Sequence, residues 1–399
     1  MSGYPESAYL DHAATTPMRP EALAVMIEEL GQVGNASSLH TSGRRARRVV
    51  EESREVLASS LGAGPSEVIF TAGGTEADNL AIKGLYWSRR AVDPTRTRML
   101  VSAVEHHGVL DPVEWLVRSQ GARVEWLPVD ELGRVRPESL RAALESGPDD
   151  VALVSVMWAN NEVGTVQPVA ELAEIAHGFG VPIHTDAVQA VGQLPVDFAG
   201  AGVDCLTVSA HKIGGPVGAG ALLARRGLDL TAVQHGGGQE RGARSGTLDA
   251  PAIRAFATAA EVATGDRADS AARVAELRDA AVDAVRAAVP DAVLRGDPDP
   301  AGRLPGNAHF TFPGCEGDSL LYLLDARGVE CSTGSACQAG VPQPSHVLLA
   351  MGVPAVTARG ALRFSFGHTS TEDDVRALAA AIGPVVERAR RAGLATAGR

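Results

Sequence analysis

The chain has 399 residues and a formal net charge of −12; 45% of it is hydrophobic and only 4% aromatic. Such an acidic chain lacks the basic face of a nucleic-acid binder, and no apolar run approaches the ~18 residues of a membrane helix. The length predicts two to three domains with an aliphatic, alanine-rich core. The four cysteines are Cys205, Cys315, Cys331 and Cys337, and none forms a C-x-x-C pair. This gives no support to a zinc or thioredoxin-type site. Few thiols and no basic, apolar leader at Met1–Glu6 predict a cytoplasmic chain without disulfides.

Tyr9 and Leu10 read as a short strand that turns at Asp11-His12-Ala13-Ala14-Thr15-Thr16-Pro17. Pro20 suits a first helical turn, so a helix is predicted over 20–30, stopping at Gly31. A second helix is predicted over 43–61. It carries Arg44, Arg45, Arg47 and Arg48, then Glu51, Glu52 and Glu55. Arg47–Glu51 and Arg48–Glu52 are i,i+4 pairs, and the cluster reads as a solvated face. Val68–Thr71 is a short buried strand, and Gly73-Gly74-Thr75 leads into a helix from about Thr75. Thr75 and Asp78 stand at capping-box-like spacing. Free N–H groups and the helix dipole make this a candidate phosphate cup. A plain capped turn fits the same residues, and without Gly-Lys-Ser/Thr it is no Walker A loop.

Further strands are predicted over 99–102, 124–127 and 151–156. The first ends in Glu105-His106-His107. Adjacent histidines lack metal-ligand spacing; both rings sit in a loop, or one stacks on a planar cofactor. The third runs into Asn160-Asn161-Glu162-Val163-Gly164. A helix over 169–179 precedes Pro182-Ile183-His184-Thr185-Asp186. Strands alternating with helices predict a mainly parallel sheet covered on both faces. Gly74-Thr75, His106, Asn160, Asp186 and His211-Lys212 all fall just past strand ends, where open α/β sheets bind ligands.

Lys212 follows the apolar run 203–208 and precedes Gly214, Gly215, Gly218 and Gly220. Lysines at such positions are rare unless paired or used. Desolvation lowers the amine's pKa, and a neutral amine can form a Schiff base. The best-known partner for that bond is pyridoxal phosphate (PLP), whose ring nitrogen needs an acid. Asp186, 26 residues earlier, offers one. A surface turn lysine and an ordinary capping aspartate fit this stretch equally well on their own. Beyond it, Gly220–Ala224 reads as a strand and Gln239–Thr247 as an arginine-bearing polar loop. Residues 251–289 read as alanine-rich helix, broken at Gly265-Asp266. Residues 290–399 read as a smaller α+β unit with strands over 307–312, 328–331 and 361–366, and a helix from about Thr371. Cys337 sits among Ser332, Thr333, Gly334, Ser335, Ala336 and Gly340, too few apolar neighbours to bury it. Cys205 lies in a buried strand, and Cys331 ends another.

Several stretches together resemble one family across nearly the whole chain. They are Tyr9–Pro17, Gly74–Asn79, Glu105-His106-His107, Asn160–Gly164, Asp186–Gln189, Ser209–Lys212, Arg244–Thr247, Gly334–Cys337 and Arg363–Gly367. The chain is similar to the PLP-dependent cysteine desulfurases of the NifS/IscS-like group, within the class V aminotransferases. The resemblance implies the α/β fold of type I PLP enzymes: a large domain with a mainly parallel seven-stranded sheet, plus a small α+β domain. It places the large domain at 17–264 and the small one at 1–16 with 265–399. It implies Lys212 as the Schiff-base lysine and proton shuttle, Asp186 as the ring-nitrogen partner, Gln189 near the ring hydroxyl and His106 as the stacking ring. Gly74, Thr75, Ser209 and His211 would hold the phosphate, and Thr247 would reach the phosphate of a neighbouring subunit in a homodimer. Asn160 and Arg363 would anchor the substrate carboxylate, Arg363 bidentately.

The activity so implied takes sulfur from L-cysteine, leaves L-alanine and forms a persulfide on Cys337. A protein acceptor then takes that sulfur: an iron–sulfur scaffold or a tRNA-thiolation enzyme. No resident metal is implied, though Cys337 could share a nascent cluster with a scaffold. Selenocysteine lyase, another carbon–sulfur lyase or an aminotransferase are alternatives on the same fold. A thiol-bearing protein without enzymatic activity is a third reading, and it would carry no chromophore. Ala36 stands where the family commonly has proline, and the stretch after Cys337 is the chain's own.

Overall fold

The computed structural model describes residues 7–334 and 344–397. Seven strands form one sheet in the order Val68–Thr71, Gly220–Ala224, Cys205–Ser209, Ile183–Asp186, Val151–Ser155, Arg98–Ser102, Arg123–Leu127. Gly220–Ala224 runs antiparallel to both of its neighbours, and every other pairing is parallel. The central strands are buried along their whole length. They therefore read as continuous apolar runs rather than alternating ones, as a sheet covered on both faces requires.

The two faces separate with period two. Met99, Val101, Cys205 and Leu222 pack with the helices Gly74–Val92 and His107–Gln120. Leu100, Leu206 and Leu223 face the opposite core, built with Thr41–Ser60, Val169–Gly178 and Ala250–Gly265. Successive side chains of a strand point to opposite faces, so one apolar run feeds both cores.

A second sheet has Asn307–Thr311 at its centre, antiparallel to Ala361–Ser365 on one side and to Val293–Arg295 on the other. Ala8–Tyr9 pairs in parallel with Val329–Glu330, and Asp11 bridges Ser365. Ala8 and Leu10 thus share a core with Val274–Ala389, and Phe310, Phe312 and Phe364 lie at its centre. The helices expected over 20–30 and 251–289 are Pro20–Leu30, Ala250–Gly265 and Arg267–Ala288. Two local readings change. The helix after the glycines starts at Gly74 with Gly73 as N-cap and no side-chain cap, so Thr75 and Asp78 form no capping box. Arg48 does pair with Glu52, whereas Glu51 pairs with Arg54.

Candidate active site

A cavity of about 380 Å³ opens at the carboxyl ends of the parallel strands. Gly74, Thr75, His106, Asp186, Gln189, Ser209, His211, Lys212 and Arg363 all line it. The site is assembled by short exits from buried strands. Asp186 is the last residue of its strand, and its Oδ1 accepts the N–H of Val188 at 2.9 Å. Lys212 ends a single 3-10 turn begun directly after Ser209. Its Nζ donates to the carbonyls of Ala13 at 2.5 Å and Ala14 at 2.8 Å. Gln189 Nε2 donates to the same Ala13 carbonyl at 2.9 Å, so the Asp11–Thr15 turn forms one wall.

Electrostatics follow from burial. The Lys212 amine is lowered to about 8, first by burial and then by the Arg363 charge. Burial raises Asp186 to about 6, against the Val188 hydrogen bond and the Lys212 charge. His106 is lowered to about 4, again mainly by burial, and is neutral at pH 7. Its Nδ1 accepts the N–H of Gly108 at 3.0 Å, so the ring proton sits on Nε2. His106 can therefore stack and donate from Nε2, but as a neutral ring it has no free base nitrogen. His107 turns away, to Asp111 at 3.0 Å.

Arg363 reaches the cavity from the second sheet. Its Nη1 donates to the Asn161 carbonyl and its Nη2 to Asp11 Oδ1, both at 2.7 Å. Its Nε is buried with no hydrogen-bond partner among the described residues. Each Nη uses one N–H in its bond and keeps a second, so the guanidinium at the cavity still has donors suited to a carboxylate ligand.

Asn160 does not take the place expected of it. It is fully buried and does not line the cavity. Its Nδ2 donates to Val104 O at 3.0 Å, and its Oδ1 accepts the N–H groups of Glu162 and Val163 at 2.9 Å. Its side chain holds the turn together, and the half-buried Asn161 faces the cavity instead. With two asparagines in one turn, the sequence alone does not say which one lines the cavity. Thr247 is exposed and lies outside this chain's cavity. Cys337 lies outside the described residues. Asp78 lines the cavity unforeseen, with its carboxyl raised well above its usual value by burial and then by Asp186.

The described cysteines are held as thiols. Cys205 is fully buried, and burial pushes its thiol far up. Burial and Asp11 push Cys331 up to about 12, and burial raises Cys315 as well.

The residues fit PLP on structural grounds. A methyl added at Gly74 would lie 3.1 Å from Val188 Cγ2 and 3.5 Å from Ser209 Cβ, so glycine keeps the cradle open. That cradle is the N-terminus of the 19-residue helix Gly74–Val92, a site for a phosphate dianion. Asp186 supplies a buried carboxylate for a ring nitrogen, and Lys212 an amine for an aldehyde.

The family model for aminotransferase class-V matches residues 8–378. The chain belongs to the class-V aminotransferases. Within that family it is 60% identical to the IscS-like cysteine desulfurase of Mycobacterium tuberculosis, over 98% of this chain and 99% of the relative. It is 42% identical to the cysteine desulfurase IscS of Dictyoglomus turgidum, over 96% and 95%. Among solved structures, a NifS-like protein superposes with a TM-score of 0.88 at 33% identity, covering 96% of this chain and all of the other. A NifS-like protein from Rickettsia africae gives 0.86 at 29% identity, covering 96% of this chain and 99% of the other. Class-V aminotransferases of this group are PLP enzymes, and the cavity described above is where such a cofactor fits.

Proposed function

We propose that Lys212, Asp186 and His106 act on L-cysteine held by Arg363, and that Cys337 takes its sulfur as a persulfide. The activity is PLP-dependent desulfuration of L-cysteine, with sulfur passed to an acceptor. One observation carries the assignment of roles. Lys212, Asp186 and Arg363 line one cavity.

PLP, when bound, supplies an electron sink through its protonated ring. Asp186 is the carboxylate that keeps that ring nitrogen protonated. Lys212, with an amine lowered to about 8, removes and returns the α-proton of the substrate. Arg363 grips the substrate carboxylate, and Asn161 lies beside that grip. His106 would stack against the ring and has its Nε2–H free to donate. The Cys337 thiolate attacks the substrate sulfur: the S–S bond forms and the carbon–sulfur bond breaks. The electron pair stays on carbon, which takes a proton and leaves as alanine.

The wider setting is part of the proposal. Thr247 is exposed, on a loop whose Arg244 pairs with Glu76 of the cup helix at 2.7 Å. This supports a homodimer in which Thr247 serves the partner's phosphate. The separate core around Phe310 and Phe364 supports 1–16 with 265–399 as the unit that brings Arg363 and Cys337 to the 17–264 unit. An iron–sulfur scaffold or a tRNA-thiolation enzyme is the proposed acceptor, in the cytoplasm, which suits the free thiols of the described cysteines.

The test is to incubate the holoenzyme with cysteine, alkylate, and map the added sulfur by peptide mass. The label is expected on Cys337. Cys337→Ser should keep the cofactor colour and its response to cysteine while losing sulfide release. A label on Cys331, or full sulfide release by Cys337→Ser, removes the assignment.

A further inference from the structure

The loop Gln234–Thr247 carries five glycines: Gly236, Gly237, Gly238, Gly242 and Gly246. A chain so rich in glycine does not hold one shape by itself. Among them stand Glu240 and Arg241, the two non-glycine residues with left-handed backbone among the described residues, at φ 47° and 57°. That conformation is unfavourable for residues with a side chain and persists where surrounding contacts enforce it. The contacts here belong to Glu240. Its Oε1 accepts from Arg54 Nη2 at 2.7 Å, and its Oε2 accepts from both Arg54 Nη1 and the N–H of Phe70 at 2.7 Å. The pair is buried: Glu240 is 6% exposed and Arg54 4%. Arg54 lies on the helix Thr41–Ser60, and Phe70 on an edge strand of the seven-stranded sheet. Arg241 Nη2 adds a bond to the Val68 carbonyl at 3.0 Å. Within the same loop, Gln239 Oε1 accepts the N–H of Gly246 at 2.9 Å, and Thr247 follows, exposed.

Glu240 does not line the cofactor cavity and has no place in the chemistry above. Desolvating an ion pair is costly, and fixing one conformation is a use that such pairs serve. We propose that Glu240 is a positioning residue that acts in trans: by clamping its loop on Arg54 and Phe70 it sets where Thr247 stands, and so sets how tightly the partner subunit holds its cofactor phosphate. The inference rests on the reading of Thr247 as a residue that serves the neighbouring subunit. Without the clamp, the glycines on either side leave Thr247 free to sample many positions. A hydrogen bond from it to a phosphate then costs the entropy of ordering the loop. The loss falls on the partner's site, not on the cavity of the chain that carries the substitution. Phe70 also lies on the strand that leads to this chain's own Gly74 cup, so an effect in cis is the competing outcome.

The test uses the full-length dimer and reads cofactor binding, not turnover. Apoprotein is titrated with PLP, the bound cofactor is fixed to Lys212 with borohydride, and the labelled chain is counted by mass. Thr247→Ala and Glu240→Gln homodimers should each weaken PLP binding by about tenfold or more, the range for a lost hydrogen bond to a charged group. Glutamine keeps the length of the side chain but not the two-oxygen grip on Arg54. Mixed dimers of differently tagged chains then separate the two directions, with Lys212→Ala marking one site as unable to take the label. With Glu240→Gln on one chain and Lys212→Ala on the other, the labelled site draws Thr247 from an intact clamp and should bind at the parent affinity. With both substitutions on one chain, the labelled site belongs to the unaltered chain, draws Thr247 from the loosened loop and should show the tenfold loss. The reverse pattern, or equal affinities in the two mixed dimers, overturns the proposal. So does parent affinity in the Glu240→Gln homodimer beside a weakened Thr247→Ala. Parent affinity in Thr247→Ala sinks the reading of Thr247, and this inference with it. Should Glu240→Gln fail to fold, Arg54→Lys, which loses the same grip, takes its place with the same expected pattern.

Discussion

The cavity has two ends built in different ways. At the cofactor end, Asp186, Ser209, His211 and Lys212 sit on or just after strands of one sheet. The backbone of each is placed by its own short stretch of chain and the sheet sets the distances between them, with the Asp11–Thr15 turn only meeting the Lys212 and His211 side chains. At the substrate end, Arg363 comes from another sheet and is held by Asp11, 352 residues away, and by the Asn161 carbonyl. The first end is local order repeated across a sheet. The second exists only once both cores have docked. A group held by neighbours in its own strand tolerates loss of a distant contact, whereas Arg363 depends on such contacts for its direction.

The sharpest way to break the comparison is at Asp186. Asp186→Asn keeps the shape and the Val188 hydrogen bond but removes the charge behind the ring nitrogen. Turnover should fall by about 10²–10³, with the KM for cysteine little changed. The same carboxyl carries a pH signature in the cofactor-free protein. Its value is raised in the folded chain from 3.8 to about 6. The folded state therefore favours the protonated form. The stabilising contribution is full below 3.8 and is lost as pH rises through about 6. The loss is at most about 3 kcal/mol, from two pKa units at about 1.4 kcal/mol each. Melting curves of the apoprotein between pH 4 and pH 8 should show this decline, and Asp186→Asn should flatten it. An unchanged slope would mean that Asp186 ionises in the apoprotein at no cost.

Arg363→Lys acts on the other end. Lysine keeps a charge but cannot hold the Asp11 carboxylate, the Asn161 carbonyl and a substrate carboxylate in one plane. The KM for cysteine should rise by about 10–100-fold, the range for lost charge-assisted hydrogen bonds. Cofactor affinity, measured by equilibrium dialysis of PLP, should stay within about twofold. A parallel loss of PLP affinity would show that the two ends are not separable.

The same division explains what was legible. Lys212, Asp186, His106 and the Gly74 cup could be read from the chain because each follows an apolar run, and the carboxyl ends of parallel strands gather in space. The mainly parallel sheet follows from the same alternation, and its seven strands from the family resemblance. The spacing of Asp78 from Thr75 mimics a cap, whereas Asp78 lines the cavity from the second turn of the helix. Asp11 and Ser332 carried no local signal. Their use depends on pairings with Arg363 that no periodicity encodes. The resemblance implies Asn160, but with two asparagines in one turn only the fold decides which lines the cavity.

That last choice supplies the smallest effect and the cleanest contrast. Asn160 makes three hydrogen bonds to buried backbone at 2.9–3.0 Å and a fourth to Met157 Sδ at 3.4 Å, and does not itself line the cavity. Asn160→Ala leaves those backbone groups unpaired, at a cost of about 1–3 kcal/mol for a buried group. Its melting temperature should drop, while KM in the surviving folded enzyme stays near the parent value. Asn161 is half-buried and no described hydrogen bond uses its side chain, although its carbonyl receives Arg363. Asn161→Ala keeps that carbonyl, so Arg363 retains its aim and the melting temperature should hold. What is lost is one neutral hydrogen bond to substrate, about 1 kcal/mol, or roughly a fivefold rise in the KM for cysteine. Differential scanning calorimetry beside steady-state alanine release separates the two variants. If Asn160→Ala raised KM at constant stability and Asn161→Ala did the reverse, the inward-facing residue would be Asn160 and the turn would be misassigned.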